Sequence, residues 1–191
     1  MTMWRAIRTM RAPAISLVIA LASAVLPAQT SPPKKIRLDG FAIIGIEART
    51  SNAAEMKGEG VISKQWQKFF SDGVQQKVRG QVDQNIYAVY ADYASDRNGE
   101  YSFVIGVRVG AGSTAPPGMV LKHIPTGKYA VVTSEKGPTA KVVMNAWQRV
   151  WALEDKGGLV GKRAYKADFE VYDSRSKDPQ NSQVDLYIGL R

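Results

Sequence analysis

Two halves of this 191-residue chain repeat the same residues at a nearly constant spacing, and this repeat limits the folds open to it. Three stretches align at spacings of 81, 82 and 83 positions: 61–70 with 142–151, 87–90 with 169–172, and 105–108 with 188–191. The alignment places Trp66 over Trp147 and Tyr90 over Tyr172. Agreement across three elements argues against chance, and two copies are too few for a solenoid.

Each copy has the pattern of one strand, one helix and two further strands. Apolar residues recur at helical spacing in 61–70 and again from Pro138 to about Glu154. Runs typical of strands are 41–46, 86–93, 101–109, 119–124, 129–133, 169–173 and 184–190. We therefore predict an α+β fold. Two β-α-β-β units pair about a pseudo-two-fold axis, and two helices pack on one antiparallel sheet with a cleft between the halves.

Turn and linker signals predict one domain, residues 41–191, after a linker. Residues 29–40 contain Pro32 and Pro33, and consecutive prolines resist helix, so this segment is predicted to be an extended linker. Residues 51–60 are polar and contain glycine, which predicts a loop. A domain of this length can bury a proper core.

Residues 1–28 have the order of a secretory signal peptide. Three arginines begin the chain with no acid among them, and an apolar run, residues 14–26, precedes Ala28. The run is short for a membrane span. We predict cleavage near Ala28, a periplasmic or secreted protein, and no stable membrane insertion afterwards; an uncleaved N-terminal anchor is the alternative.

The chain is basic, with 26 lysines and arginines against 17 acids and a net charge of +9. These cations are spread along the sequence instead of forming a dense block, which favours a solvated surface over a nucleic-acid interface. The chain has no cysteine, so in an oxidising compartment packing and hydrogen bonds must stabilise it without disulfides.

The strand 167–172 carries a carboxylate and a phenol on one face. Glu170 and Tyr172 alternate with apolar neighbours, while Trp147 and Trp151 lie one helical turn apart on the preceding helix. An acid among aromatic rings suits a flat organic cation, because ring faces attract cations and the acid neutralises the charge. The alternative is a solvated acid on an edge strand and two core tryptophans.

The repeat makes this arrangement asymmetric. Glu170 aligns with Ala88, whereas Tyr172 aligns with Tyr90. If the halves face each other, one carboxylate lies opposite a small apolar residue, with a tyrosine on either side. Symmetry alone does not require the acid, so this difference favours a functional role for Glu170.

Most catalytic and cofactor chemistries lack their residues here. The single histidine, His123, lies in a strand-like run, and no Gly-x-Ser-x-Gly elbow accompanies it. One histidine and no cysteine make a zinc or haem site a poor expectation, and no glycine-rich phosphate loop is present. We predict no cofactor, no metal site and no assigned catalytic residue.

Several pieces of the chain, taken in order, resemble one known family. They are 101–107, Pro117-Gly118, 124–131, Trp147 with Trp151, and 169–172. Together they resemble the GyrI-like small-molecule-binding superfamily, the effector-binding domain of AraC-type and MerR-type multidrug-sensing regulators, which also occurs free-standing. The resemblance covers about residues 41–190, essentially the whole predicted mature chain.

The resemblance implies a duplicated β-α-β-β fold that holds hydrophobic, often cationic ligands between aromatic rings and a buried glutamate. The family's glutamate falls on Glu170, and the ligand site implied here adds Tyr101, Phe103 and Tyr129 to the residues already named. The chain departs from the family in lacking a helix-turn-helix, so DNA binding is not implied. It also departs in having Gly189 where the family often has proline, and in its export signal.

An enzyme remains the alternative to a binder. Some relatives of this superfamily hydrolyse electrophilic small molecules with an acid and a tyrosine in the same cleft. Glu170 would then be the general base, with Tyr129 or Tyr101 as proton donor. A protein partner is a third class, which would need an exposed apolar patch.

Overall fold

The computed structural model describes residues 31–191, so the predicted signal peptide lies outside the described residues. The strands are β1 Lys34–Leu38, β2 Phe41–Ser51, β3 Gln81–Ala91, β4 Glu100–Val109, β5 Val120–Ile124, β6 Gly127–Thr133, β7 Ala167–Tyr172 and β8 Asp185–Leu190. The helices are α1 Asn52–Met56, α2 Ile62–Ser71, α3 Val74–Lys77 and α4 Thr139–Asp155. All eight strands form one antiparallel sheet, which confirms the predicted α+β class.

The order of the strands is symmetric about the junction of β3 and β7. The full order is β1-β6-β8-β7-β3-β4-β2-β5, so β3, β4 and β2 on one side correspond to β7, β8 and β6 on the other. At the junction Ala88 lies directly opposite Glu170, and the repeat aligns these same two residues. A two-fold axis through the junction would produce this register. The superposition of the two halves itself stays a prediction.

Residues 34–38 are strand β1, and their assignment to a linker was wrong. β1 pairs with β6 at the edge of the C-terminal half, while β5 pairs with β2 at the opposite edge. The outermost strand of each half of the sheet therefore comes from the other half of the sequence. Ile36 and Leu38 pack against an apolar core. Their charged neighbours, Lys34, Lys35 and Arg37, obscured the apolar–polar alternation that is typical of a strand.

Residues 51–60 also differ from the prediction of a loop, because they contain the short helix α1. The Ser51 hydroxyl accepts a hydrogen bond from the backbone N–H of Ala54 at 3.2 Å, which caps the first turn. The helix is only five residues long, too short to show a helical period in the sequence.

Two apolar cores lie on the two faces of the sheet. One lies beneath α2 and α4, and the other is lined by Tyr129 and Phe169 on the opposite face. The two ends of the sheet approach each other there, since the N–H of Gly40 donates to the Thr126 hydroxyl oxygen at 2.7 Å. A sheet that bends in this way buries both faces, although its long helices cover only one.

Candidate functional site

A cavity of about 1120 Å³ lies between α2 and α4, above the central strands β3 and β7. Its principal apolar and aromatic lining residues are Ile62, Trp66, Phe70, Tyr90, Tyr93, Tyr101, Val143, Met144, Trp147, Trp151 and Tyr172. On α2 the three apolar lining residues, Ile62, Trp66 and Phe70, recur every four positions, which places them on one helix face. A cavity whose exposed lining is mostly apolar is the usual form of a small-molecule site, and this one is slightly larger than most.

Glu170 lies on the floor of the cavity and is only 1% exposed. Its Oε1 accepts hydrogen bonds from the Tyr90 hydroxyl at 2.7 Å and from the Trp147 indole Nε1 at 2.6 Å. Its Oε2 accepts one from the Tyr172 hydroxyl at 2.6 Å. All three donors are neutral, and Glu170 forms no ion pair within residues 31–191.

This environment raises the pKa of Glu170 above the ordinary value for glutamate. Burial is the largest cause, because the ionised form loses its hydration. The hydrogen bonds from Trp147, Tyr172 and Tyr90 lower the pKa but only partly offset the burial. The carboxyl group therefore needs either a proton or an external cation to balance its charge.

The other two carboxylates in the cavity wall are already engaged by the protein. Glu55 Oε1 accepts from the Thr50 hydroxyl at 2.6 Å and the Val61 N–H at 2.8 Å, which anchors the connection between α1 and α2. Asp173 is bound by the Arg175 guanidinium, with contacts of 3.0, 3.0 and 2.8 Å. Among the lining carboxylates in the described part, Glu55 and Glu170 have only neutral partners, and of these two only Glu170 is fully buried.

Six of the eight residues suggested from sequence line this cavity: Glu170, Tyr172, Tyr90, Trp147, Trp151 and Tyr101. Phe103 does not, because it is fully buried beneath the site with its ring centroid 5.3 Å from that of Tyr90. It can support the ring of Tyr90 but cannot touch a ligand in the cavity.

Tyr129 is not part of this site, so its assignment there was wrong. It lies in the core on the opposite face of the sheet and donates its hydroxyl hydrogen bond to the carbonyl oxygen of Pro125 at 2.9 Å. Its neighbour Ala130 belongs to the core beneath the helices instead. Successive residues of a strand point to opposite faces, which separates the two.

Sequence reasoning missed two lining residues that the structure makes prominent. Trp66 has its ring centroid 4.7 Å from that of Tyr172, and its alignment with Trp147 in the repeat could have identified it. Arg163 comes from the irregular connection between α4 and β7 and also lines the cavity. No motif in the sequence marks it.

Arg163 is buried beside Asp168, a second acid on β7. Its Nε and Nη2 donate to Asp168 Oδ2 at 3.0 and 2.8 Å, and the Tyr93 hydroxyl donates to the same oxygen at 2.8 Å. The guanidinium carbon also lies 5.6 Å from the centroid of the Trp147 ring. This positive charge is thus paired within the protein and placed against a ring that hydrogen-bonds Glu170.

Neither a metal centre nor a transmembrane helix is found in the described range. Residues 31–191 contain no group of three histidine or acidic side chains arranged to hold a metal ion. No helix in that range is long and apolar enough to cross a membrane.

Comparison with known sequences identifies related proteins over the same region. Residues 36–190 match the family described as Cass2, integron-associated effector binding protein. YobU of Bacillus subtilis, whose name assigns it to the transcriptional regulators, is 32% identical over 155 residues, which cover 81% of this chain and 94% of YobU. The transcriptional regulator BrlR of Pseudomonas aeruginosa is 33% identical over 159 residues, 78% of this chain but 52% of BrlR, so the chain spans about half the length of that relative.

Comparison with solved structures gives the same fold. An integron cassette protein from the mobile metagenome of Vibrio cholerae superposes with a TM-score of 0.66 at 26% identity, covering 85% of this chain and 97% of that one. SAV2435, solved bound to tetraphenylphosphonium, gives a TM-score of 0.66 at 17% identity, covering 84% of this chain and 94% of that one.

Proposed function

This chain belongs to the family of integron-associated effector-binding proteins, and from that premise we propose that its cavity binds a hydrophobic aromatic cation whose charge is held by Glu170. One observation carries the proposal: a fully buried carboxyl with only neutral partners lies on the floor of an aromatic cavity. A cationic ligand supplies the missing countercharge, and the ring faces add cation–π attraction.

The fold relatives support this ligand class. SAV2435 was solved with tetraphenylphosphonium, a compact cation surrounded by four aromatic rings. Here Trp66, Tyr90, Trp147 and Tyr172 supply the rings around the acid. On this proposal the protein is a small-molecule-binding domain for hydrophobic aromatic cations.

Binding fits the geometry better than the hydrolase alternative. That alternative assigns the proton donor to Tyr129 or Tyr101. The two tyrosines that do lie beside Glu170, Tyr90 and Tyr172, donate their hydroxyl hydrogens to Glu170 itself. Tyr129 lies on the opposite face of the sheet, and the hydroxyl of Tyr101 already donates to Asn52 Oδ1 at 3.1 Å. A binder needs only the acid and the rings.

We also propose that the protein is exported and works outside the cytoplasm. The support is the order of charged, apolar and small residues in the segment 1–28. Expression of the full chain in a Gram-negative host, followed by fractionation and N-terminal sequencing, should yield a mature form beginning near Gln29 in the periplasm or medium. An intact N-terminus in the soluble cytoplasmic fraction would contradict export without affecting the binding proposal.

Calorimetric titration with tetraphenylphosphonium and with neutral triphenylphosphine oxide tests the binding proposal. Glu170→Gln should weaken binding of the cation by about 1–3 kcal/mol, because the amide keeps the shape of the side chain but not its charge. It should change the affinity for the neutral compound little. Asp173→Asn is the matched control, since it removes a lining carboxylate that Arg175 already pairs.

Two results would contradict the proposal. Equal losses for the cation and the neutral compound would mean that Glu170→Gln only disturbs packing. No loss of affinity for either compound would mean that Glu170 is an ordinary buried strand residue.

A further inference from the structure

The aromatic rings of the cavity form a continuous path from Glu170 to the protein surface. The Tyr172 hydroxyl contacts Glu170, the ring of Trp66 lies 4.7 Å from that of Tyr172, and the ring of Phe70 stacks on Trp66 at 5.8 Å with an angle of 26°. Exposure rises along this path from 1% at Glu170 to 63% at Phe70. The path therefore begins at a buried charge and ends at an apolar mouth.

Two further exposed residues of the cavity lining are also apolar. Met144 on α4 is 52% exposed and Met56 on α1 is 78% exposed, and both line the cavity together with Phe70. The other large exposed apolar residues of the described part, Val82, Leu121 and Val160, do not line it. Exposed apolar residues that share one cavity are typical of a binding site, and methionine adapts to ligands of varied shape.

A compact aromatic cation leaves much of this surface uncovered. A ligand seated over Glu170 between Trp147 and Tyr172 would fill the deep end of the cavity. Phe70 and both methionines would then remain in water. A ligand that extends from the acid to the mouth removes this apolar area from water, which favours its binding.

We propose that the preferred ligands are cationic amphiphiles, with a compact cationic head at Glu170 and an unbranched apolar tail that lies between α2 and α4. This inference rests on the proposed function and names the ligand class of the same site. The tail follows the α2 residues Ile62, Trp66 and Phe70 on one wall and the α4 residues Val143 and Met144 on the other. The four-residue spacing on α2 makes a straight apolar stripe, which fits a chain better than a branched or globular group.

A homologous series of alkyltrimethylammonium salts, from hexyl to dodecyl, tests the class by calorimetry below the micellar concentration. The head is constant, so the dependence on length reports the tail alone. Affinity should rise about fourfold for each added methylene, the equivalent of about 0.8 kcal/mol, until the tail reaches the mouth, and should then level off.

The variant Phe70→Ser/Met144→Ser shortens the apolar path at its exposed end. It should lower the affinity for the dodecyl compound at least tenfold and leave the hexyl compound within about twofold of wild type, because a short tail does not reach the mouth. Both positions are exposed, so the fold should be retained. Val82→Ser is the matched control, an equally exposed apolar residue outside the cavity, and should change neither affinity.

The outcomes separate this inference from the proposed function. Affinities that do not change with tail length, while tetraphenylphosphonium still binds through Glu170, would overturn the amphiphile class alone. Failure of both the series and tetraphenylphosphonium to bind would overturn the proposed function. Equal losses in the control variant would show non-specific adsorption. A wild-type dimer in sedimentation that Phe70→Ser dissociates would assign the mouth to a second copy of the chain instead.

Discussion

Asp168 and Glu170 lie two residues apart on β7, both are buried, and the protein holds them in opposite ways. Asp168 receives two guanidinium N–H groups from Arg163 and the hydroxyl of Tyr93, while its other oxygen accepts the N–H of Gly189 at 2.8 Å. Glu170 receives two hydroxyls and an indole N–H, none of them charged.

We interpret this difference as one between a structural carboxylate and the carboxylate of the proposed ligand site. A buried ion pair is satisfied within the fold, and breaking it leaves an unpaired charge in an apolar interior. A buried acid whose donors are all neutral has its hydrogen bonds satisfied, but its charge has no counter-ion. Under the proposed function Glu170 keeps its charge available for a ligand, whereas the charge of Asp168 is paired with Arg163 from the connection between α4 and β7.

The largest expected effect is on stability at the paired acid. Asp168→Asn keeps the size of the side chain but leaves Glu154, at 3.4 Å, as the only carboxylate of residues 31–191 paired with the buried charge of Arg163, so it should lower the free energy of unfolding by roughly 3–5 kcal/mol. Glu170→Gln should change it by no more than about 1 kcal/mol at neutral pH, because the amide can still bond its three neighbours. Urea unfolding of both variants measures the contrast. Equal destabilisation would mean that the two acids have the same structural role.

The next effect is the contribution that Glu170 should make to the pH dependence of stability. Its folded pKa is raised, so the stability it contributes is complete below the ordinary pKa of glutamate and is lost as pH rises through the folded value. The loss is about 1.4 kcal/mol for each unit by which the folded pKa exceeds the unfolded one. Cation affinity should rise over the same window, because the ionised form binds.

Subtraction of the Glu170→Gln unfolding curve from that of wild type isolates this contribution from the other acids. The difference should fall steadily with rising pH across that window. A difference that stays flat, or that grows with pH, would show that Glu170 is as well balanced within the protein as Asp168.

The smallest effects concern two tyrosines, each of which donates a hydrogen bond to one of the two acids. Tyr172→Phe removes one donor to Glu170 but keeps the ring, so cation affinity should fall by about 0.5–1.5 kcal/mol at pH values where the carboxyl is close to its pKa. Tyr93→Phe removes a donor to Asp168 and should lower stability by about 1 kcal/mol without changing that affinity. Ligand titration and urea unfolding of both variants test whether Tyr172→Phe mainly lowers affinity and Tyr93→Phe mainly lowers stability. Affinity losses of equal size in the two variants would contradict this prediction.

The sequence by itself determined the class of the fold and the composition of the strand and helix that face the cavity. The helical period of 61–70 and 138–154 predicted α2 and α4 to within a residue at each end. The alternation in β7 correctly placed Glu170 and Tyr172 on one face, and the spacing of Trp147 and Trp151 placed both on the cavity side of α4. These inferences succeed because the periods of 3.6 and 2 are local properties of the backbone.

Only the tertiary structure decided which face each strand presents, which edge β1 joins and how each charge is paired. The strand β6 is apolar on both faces, so nothing local shows that Tyr129 points away from the cavity while Ala130 points toward the helices. The partners of Glu170 come from β3, α4 and β7, up to 80 positions apart, and Arg163 comes from an irregular connection. Burial and hydrogen bonding across such distances depend on how the layers pack, which no local pattern of residues encodes.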